Sequence, residues 1–261
     1  MTILDLGCGG LKMKGAIGVD KYPIIGVDAI VDLAEYPYPF ANDVFDEVYL
    51  NDIIEHLPNT IATMEEIYRI SKPNAKIFIR VINWNSEFNS MDPTHVKAFG
   101  PRTFEFFGHK EDRMYYTHAR FNVEKIEYNY CKKAIRHFRF KWLLKFLSQY
   151  LNNVLEDMHF ELRVIKKNQK MLTSGRNHKE SLFDIARCPY CIGNNLSPSK
   201  KMKLLRGLWL VCENEKCNRK YPIYKGLSVL TREEGSKWRN VENEKLPPNG
   251  IKIDMIDYPK Y

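Results

Sequence analysis

The feature that most limits how this chain can fold is a series of short apolar segments, each running out into a glycine or an acid. Thr2-Ile3-Leu4-Asp5-Leu6 opens onto Gly7-Cys8-Gly9-Gly10, and Gly18-Val19-Asp20, Ile30-Val31-Asp32-Leu33 and the stretch from Phe45 to Asp52 come after it. Lys76-Ile77-Phe78-Ile79-Arg80-Val81 reads as a further strand. Before it, Ile61, Met64, Ile67 and Tyr68 recur at helical spacing, and Pro73 is expected to stop that helix. Short strands alternating with helical stretches predict an α/β fold with a mostly parallel sheet, whose ligands sit at the carboxyl ends of the strands.

The turn after the first strand carries the chemistry. Without a Cβ in the way, a Gly-rich turn lets the backbone approach a nucleotide closely. The dinucleotide fingerprint is not met, because Lys12 stands where its third glycine would be. The acid of Gly18-Val19-Asp20 also comes early, and Leu11 to Gly15 is too short for a full crossover helix. Ile3 to Gly10 resembles instead the first motif of class I S-adenosylmethionine-dependent methyltransferases. Phe45-Asp46-Glu47-Val48, Ile54-Glu55-His56-Leu57 and Ser71-Lys72-Pro73 with the strand after it are similar to the later motifs. The likeness covers roughly residues 2–107 and, more weakly, 121–166, and implies a Rossmann-like, seven-stranded-type sheet. It implies that Asp5, Gly7 and Gly9 belong to the cofactor site, the two glycines lining the methionine end. By the same resemblance Asp20 binds both ribose hydroxyls, a carboxylate being able to accept two hydrogen bonds. Asp32 and Leu33 hold the adenine, and Asn51 faces the methionine portion. Asp28 competes for the ribose role, since Gly26-Val27-Asp28 repeats the Gly18-Val19-Asp20 pattern; Asp20 is preferred because it closes the second strand. The chain shows no helices before its first strand, so the site is expected to be open, or covered by something downstream.

The residues after the fourth strand bear on the acceptor. Asn51-Asp52-Ile53-Ile54 replaces the Asn/Asp-Pro-Pro-aromatic motif of enzymes that methylate amide or base nitrogens. That favours a hydroxyl on a small molecule, a glycan or an RNA ribose. Asp52, Glu55 and His56 fall at i, i+3 and i+4, one face of a helix, and His95 in Asp92-Pro93-Thr94-His95 supplies a fourth group. The set is similar to the metal-binding residues of small-RNA 3′-terminal 2′-O-methyltransferases and, in part, of ubiquinone-pathway O-methyltransferases. On that likeness these four are the catalytic candidates, and a second divalent metal would lower the pKa of a bound hydroxyl. Against the metal stand Asp52 in place of a glutamate and the weakness of imidazole as a Mg²⁺ ligand.

Cys188-Pro189-Tyr190-Cys191 and the later pair Cys212 and Cys217 have the spacing of a tetrahedral zinc site. A segment of some fifty residues buries too little to fold alone, so Zn²⁺ would supply much of its stability. Leu210-Val211-Cys212, Tyr221-Pro222-Ile223 and Gly226 to Leu230 resemble the small zinc-ribbon protein that partners and activates RNA and protein methyltransferases, here fused to its enzyme. The expected organisation is a methyltransferase domain (1–167), a linker (168–181), a zinc ribbon (182–235) that stabilises the catalytic domain, and a tail (236–261) in which Ile251 to Ile256 alternates like a docked strand, a loose extension being the equal alternative. Cys8 and Cys131 read as packing residues.

Charge divides the chain. Residues 1–130 hold 13 Lys/Arg against 19 Asp/Glu, and residues 131–261 hold 27 against 13, giving −6 and +14 and a net charge of +8. The excess can attract RNA or an anionic membrane face. One basic region is 131–156, where basic residues alternate with Phe138, Phe140, Trp142 and Phe146. That stretch is expected to be a helix packed between the last two strands, with a substrate lid, an RNA surface or an interfacial helix as alternatives. No apolar run approaches the ~20 residues of a spanning helix, and no secretory leader is seen, so the expected compartment is the cytoplasm. A methyltransferase-like scaffold without activity, recruiting protein or RNA through its ribbon, is the alternative function.

Overall fold

A computed structural model describes residues 1–108, 115–137, 140–166, 181–194, 201–214, 216–224 and 227–253. The expected 168–181 linker thus lies, apart from Ser181, outside the described residues, as does the tail beyond Ile253. Seven strands come first: β1 (Ile3–Leu6), β2 (Ile17–Asp20), β3 (Ala29–Ile30), β4 (Phe45–Asn51), β5 (Ser71–Ile82), β6 (Phe121–Tyr130) and β7 (Leu155–Val164). They lie in the order β6-β7-β5-β4-β1-β2-β3. β3, β2, β1, β4 and β5 are parallel to one another, and β7 runs antiparallel between β5 and β6. Parallel strands need both faces covered, and Leu4, Leu6, Val19, Val48 and Leu50 are fully buried. With one register, every parallel strand ends at the same edge of the sheet, which therefore collects Gly7, Asp20, Asn51 and Asn83.

Helix α1 (Thr60–Ile70) starts where Asn59 caps it, its Oδ1 accepting from the Ala62 amide at 3.1 Å. Met64, Ile67 and Ile70 are its buried stripe. It ends three residues before Pro73, because the residue preceding a proline is disfavoured in helical conformation, and Ser71 is already extended. Pro73 lies inside β5, not at a helix end. Further on come α2 (Glu87–Met91), α3 (Lys132–His137) and α4 (Lys141–Leu147). The expected single helix over 131–156 is thus two short ones. α4 buries Leu144 against Val154.

A largely buried ion pair on α1 ties down the loop that follows β3. Glu66 accepts from Arg69 Nε at 2.8 Å and Nη2 at 2.7 Å, and from the Tyr38 amide at 2.6 Å. Arg69 also donates to the carbonyls of Phe40 at 2.8 Å and Tyr38 at 2.9 Å. Breaking a buried pair strands its other charge. Arg69→Met is therefore expected to cost about 3–5 kcal/mol, checked by urea unfolding; a loss under ~1 kcal/mol, the figure for surface pairs, would show that the clamp carries no weight.

The same loop meets the C-terminal part of the chain. Phe40 bridges to Ala186, the Ala41 amide donates to Ile185 O at 3.1 Å and the Arg187 amide to Pro39 O at 2.9 Å. Four strands, β8 (Met202–Leu205), β9 (Trp209–Cys212), β10 (Lys220–Tyr224) and β11 (Leu227–Val229), form an antiparallel array. β11 then pairs in parallel with β3, Ser228 opposite Ala29 and Val229 opposite Ile30. This joins the two parts into one eleven-stranded sheet and covers what would be the free edge at β3. Leu227 packs with Cys8, Ile24, Val27 and Ile30 in a small cluster over that seam. The helix Arg232–Lys237 and Trp238, whose ring lies 5.0 Å from Trp209, continue this packing across the expected boundary at residue 235. Residues 251–253 join no ladder, although Ile253 packs on the seam cluster.

Candidate active site

At the carboxyl edge, the β1 exit folds tightly back. Gly7 has φ of +66°, and a Cβ there would lie 2.5 Å from Ile53 Cγ1, so only glycine fits between the turn and the β4 exit. Gly9, at φ +50°, has open space where its side chain would be. Asp5 is buried and spends Oδ2 on the Met13 amide at 2.8 Å, closing the loop; burial raises its pKa. That bond shapes the turn. Burial, with Asp5 beside it, also pushes the Cys8 thiol up to about 12, in keeping with a packing residue.

The two acids that compete for a ribose are set apart by their partners. Asp20 accepts from the Gly9 amide and the Tyr22 amide, each at 3.0 Å, one bond per oxygen. Two backbone donors fix its orientation and leave lone pairs for a ligand. Asp28 is consumed: Lys12 Nζ reaches both its oxygens at 2.9 and 2.8 Å, and the Gly18 amide donates at 2.7 Å. The Lys12 stem crosses Gly18 so closely that a side chain there would collide with it. Asp32 accepts from the Ala34 amide at 2.9 Å and pairs with Lys21 at 3.0 Å, while buried Leu33 lends its carbonyl to Tyr38 Oη at 3.1 Å. Asn51 is exposed at the end of β4.

The acceptor side differs from the sequence expectation. Asp52, Glu55 and His56 do not share a helical face, because the helix is a single 3-10 turn over Ile54–His56 and Asp52 precedes it at φ +51°. Asp52 pairs instead with Arg80 at 2.9 Å. Glu55, 1% exposed, turns inward, where Oε1 is 3.5 Å from the Ile82 amide and Oε2 has no partner; burial raises its pKa. The groups that do converge are His56, Asp92 and His95, whose ligand-type atoms all lie within 4.8 Å of one another. Asp92 is not among the residues the sequence pattern singles out, and its place three residues before His95 is the signal that could have found it. The ring of His95 puts Nδ1 3.2 Å from Asn89 O, and that of His56 puts Nδ1 3.3 Å from Thr94 O. A carbonyl only accepts, so a proton on Nδ1 suits both rings, while His95 Nε2 lies 3.8 Å from Asp92 Oδ2. Thr94 Oγ1, between His56 Nδ1 at 3.0 Å and Asp92 Oδ1 at 2.6 Å, links the two sides.

The four expected thiol ligands also converge. Cys188 Sγ lies 3.7 Å from Cys217 Sγ, Cys191 Sγ lies 3.5 Å from Cys212 Sγ, and all four are buried within 4.8 Å of one another. None is in a disulfide. Tyr221 Oη at 3.2 Å from Cys188 Sγ and Arg219 Nη1 at 3.5 Å from Cys217 Sγ complete the surroundings.

A mixed sheet whose central strands are parallel, with a glycine turn and a strand-end carboxylate at their carboxyl edge, is the α/β architecture that suits a nucleoside-bearing cofactor. Residues 1–163 match the family described as methyltransferase domain, and the chain belongs to that family. Similar solved structures include an S-adenosylmethionine-dependent methyltransferase from Archaeoglobus fulgidus, 22% identical over 62% of this chain and 85% of that one, at a TM-score of 0.44. A complex between the Haloferax volcanii Trm112 methyltransferase activator and a methyltransferase matches at 15% identity, 64% and 83% coverage and 0.41. The phosphoethanolamine N-methyltransferase 2 of Haemonchus contortus matches at 19%, 64%, 49% and 0.40. No curated protein matches the chain.

Proposed function

We propose that the chain transfers a methyl group from S-adenosylmethionine to a hydroxyl, and that its C-terminal segment is a zinc ribbon that stabilises the catalytic sheet. The family match over residues 1–163 supports methyl transfer, and the convergence of His56, Asp92 and His95 supports a hydroxyl as its acceptor. When bound, S-adenosylmethionine supplies an electrophilic methyl on a sulfonium. The protein's share is alignment: Gly7 and Gly9 leave the β1 exit open to the methionine end, Asp20 accepts the ribose hydroxyls, and Asp32 with Leu33 flanks the adenine. Asn51 stands toward the methionine portion. With Nε2 unprotonated, His56 and His95 can take the proton of an attacking hydroxyl, with Asp92 stabilising the resulting charge. Asp52, tied to Arg80, and Glu55, turned inward, shape this side without meeting the acceptor.

The hydroxyl assignment is checked with methyl-labelled cofactor and fractionated small molecules, glycans and RNA. An ether product stable to alkali is the expected outcome; label recovered on a nitrogen would contradict it.

Zinc fits the cysteine cluster. With Zn–S near 2.3 Å, a tetrahedral set has S···S edges of about 3.8 Å, close to the 3.7 and 3.5 Å found. Cys188, Cys191, Cys212 and Cys217 would hold it as thiolates, in a reducing compartment such as the cytoplasm. The parallel pairing of β11 with β3 supports a ribbon that acts on its own catalytic domain.

A further inference from the structure

We propose that the rim formed by α2, α4 and the chain after α4 docks on an anionic lipid bilayer. The inner face of α4 is already used: Leu144 is buried against Val154, with Leu147, Tyr130 and Cys131 around it. The opposite face carries Trp142 and Phe146 at i and i+4, Tyr150 follows in the turn after the helix with its ring 5.1 Å from that of Phe146, and Trp142 is 70% exposed. These rings contribute nothing to the core, and large side chains of this kind in one exposed patch mark a contact surface. Trp84 and Met91, each more than half exposed, extend the patch, and Leu151 adds to it. The parts are tied together: Asn85 Nδ2 donates to Ser148 O and Leu151 O at 3.3 Å each, the Glu87 amide to Asn153 Oδ1 at 2.6 Å, and the Asn153 amide to Asn85 O at 3.1 Å.

Charge selects the occupant. Residues 128–155 contain six Lys/Arg and no Asp or Glu, and Lys132, Arg136 and Lys145 are exposed. Aromatic rings among cations suit the headgroup region, and each cation near an anionic leaflet adds attraction. Nucleic acid bases would stack on the rings but gain little from the aliphatic Met91 and Leu151, which a lipid interface takes up as readily. No helix among the described residues is long and apolar enough to cross a membrane, and α4 has only seven residues, so the contact is peripheral. β5 and β6 both end at this rim, on the edge of the sheet that holds the active site. Docking therefore turns the acceptor side toward the headgroups and points to an acceptor borne by the bilayer. That last step rests on the methyl-transfer reading; the docking itself does not.

Sedimentation of the full chain with sucrose-loaded vesicles tests this without any activity. Vesicles of phosphatidylcholine and phosphatidylglycerol in equal parts are expected to bind at least ~10-fold better than phosphatidylcholine alone. Combining Trp142→Ser with Phe146→Ser should weaken that binding by roughly tenfold, while the circular dichroism spectrum and thermal midpoint stay unchanged. Three results would overturn the proposal: no binding to anionic vesicles, equal binding by the doubly substituted chain, or displacement from vesicles by a single-stranded RNA oligonucleotide through the same aromatic residues. Vesicle binding by a chain that shows no affinity for S-adenosylmethionine would uphold docking and remove only the inference about the acceptor.

Discussion

Cys212→Ser is expected to strip the metal from the chain and to unfold far more than the segment that holds it. Structural zinc binds small peptides with an apparent 10–16 kcal/mol at pH 7 (order of magnitude), as much as the roughly 5–15 kcal/mol that stabilises an entire domain. The loss cannot stay local, because Leu230 N donates to Ile30 O at 3.0 Å and β11 is the outer neighbour of β3. With β11 gone, Ile24, Val27 and Ile30 lose Leu227, and a two-residue strand is left at the sheet edge. Elemental analysis should find one zinc per chain in the parent and little in the variant. Hydrogen exchange should show the amides of Val31 and Asp28, bonded to Asp20 O and Gly18 O, losing protection together with those of β9 and β10. Folded parent protein free of zinc would overturn the metal assignment. Loss of protection confined to 181–253 would overturn the coupling between the two parts.

Asp20→Ala carries the second large effect. Its carboxylate is held by two backbone amides at 3.0 Å and keeps acceptor capacity toward the Gly7–Gly9 turn. Removing a charged acceptor shared by two hydroxyls costs on the order of 2–4 kcal/mol, about 30-fold to 900-fold in affinity. Asp28→Ala is the control. It removes the partner of Lys12, so it is expected to loosen the loop and lower the thermal midpoint, with a smaller change in affinity. The reverse ranking in titration calorimetry would move the ribose role to Asp28.

Much of the catalytic sheet is legible in the sequence because each parallel strand is a short apolar run with a distinctive exit. Ile3–Leu6, Phe45–Asn51 and the Lys76–Val81 stretch of β5 all fall where such runs predict. The cysteine spacing is equally plain, since two close pairs on turns leave a pattern that packing cysteines do not. The seam between β3 and β11 is not legible: a two-residue strand has no periodicity, and parallel pairing between distant segments leaves no local trace. The acceptor side misleads for a related reason. Spacing of i, i+3 and i+4 assumes a continuous helix, and the positive φ of Asp52 breaks that assumption at its first residue. Arg80, on the neighbouring strand, then claims the carboxylate, a choice that only the β4–β5 register reveals. The aromatic stretch after β6 has apolar residues at the spacing of one helix, yet it forms two short ones and its outer rings face solvent.

The central claim, that the edge containing Gly7, Gly9 and Asp20 is a working cofactor site, is tested most directly by calorimetric titration of the full, zinc-loaded chain with S-adenosylmethionine. The expected result is saturable binding at one site per chain, weakened strongly by Asp20→Ala and unaffected by Trp142→Ser. An absence of binding heat at several temperatures, from protein whose zinc content and unfolding transition are intact, would contradict the account and leave a methyltransferase fold without its cofactor.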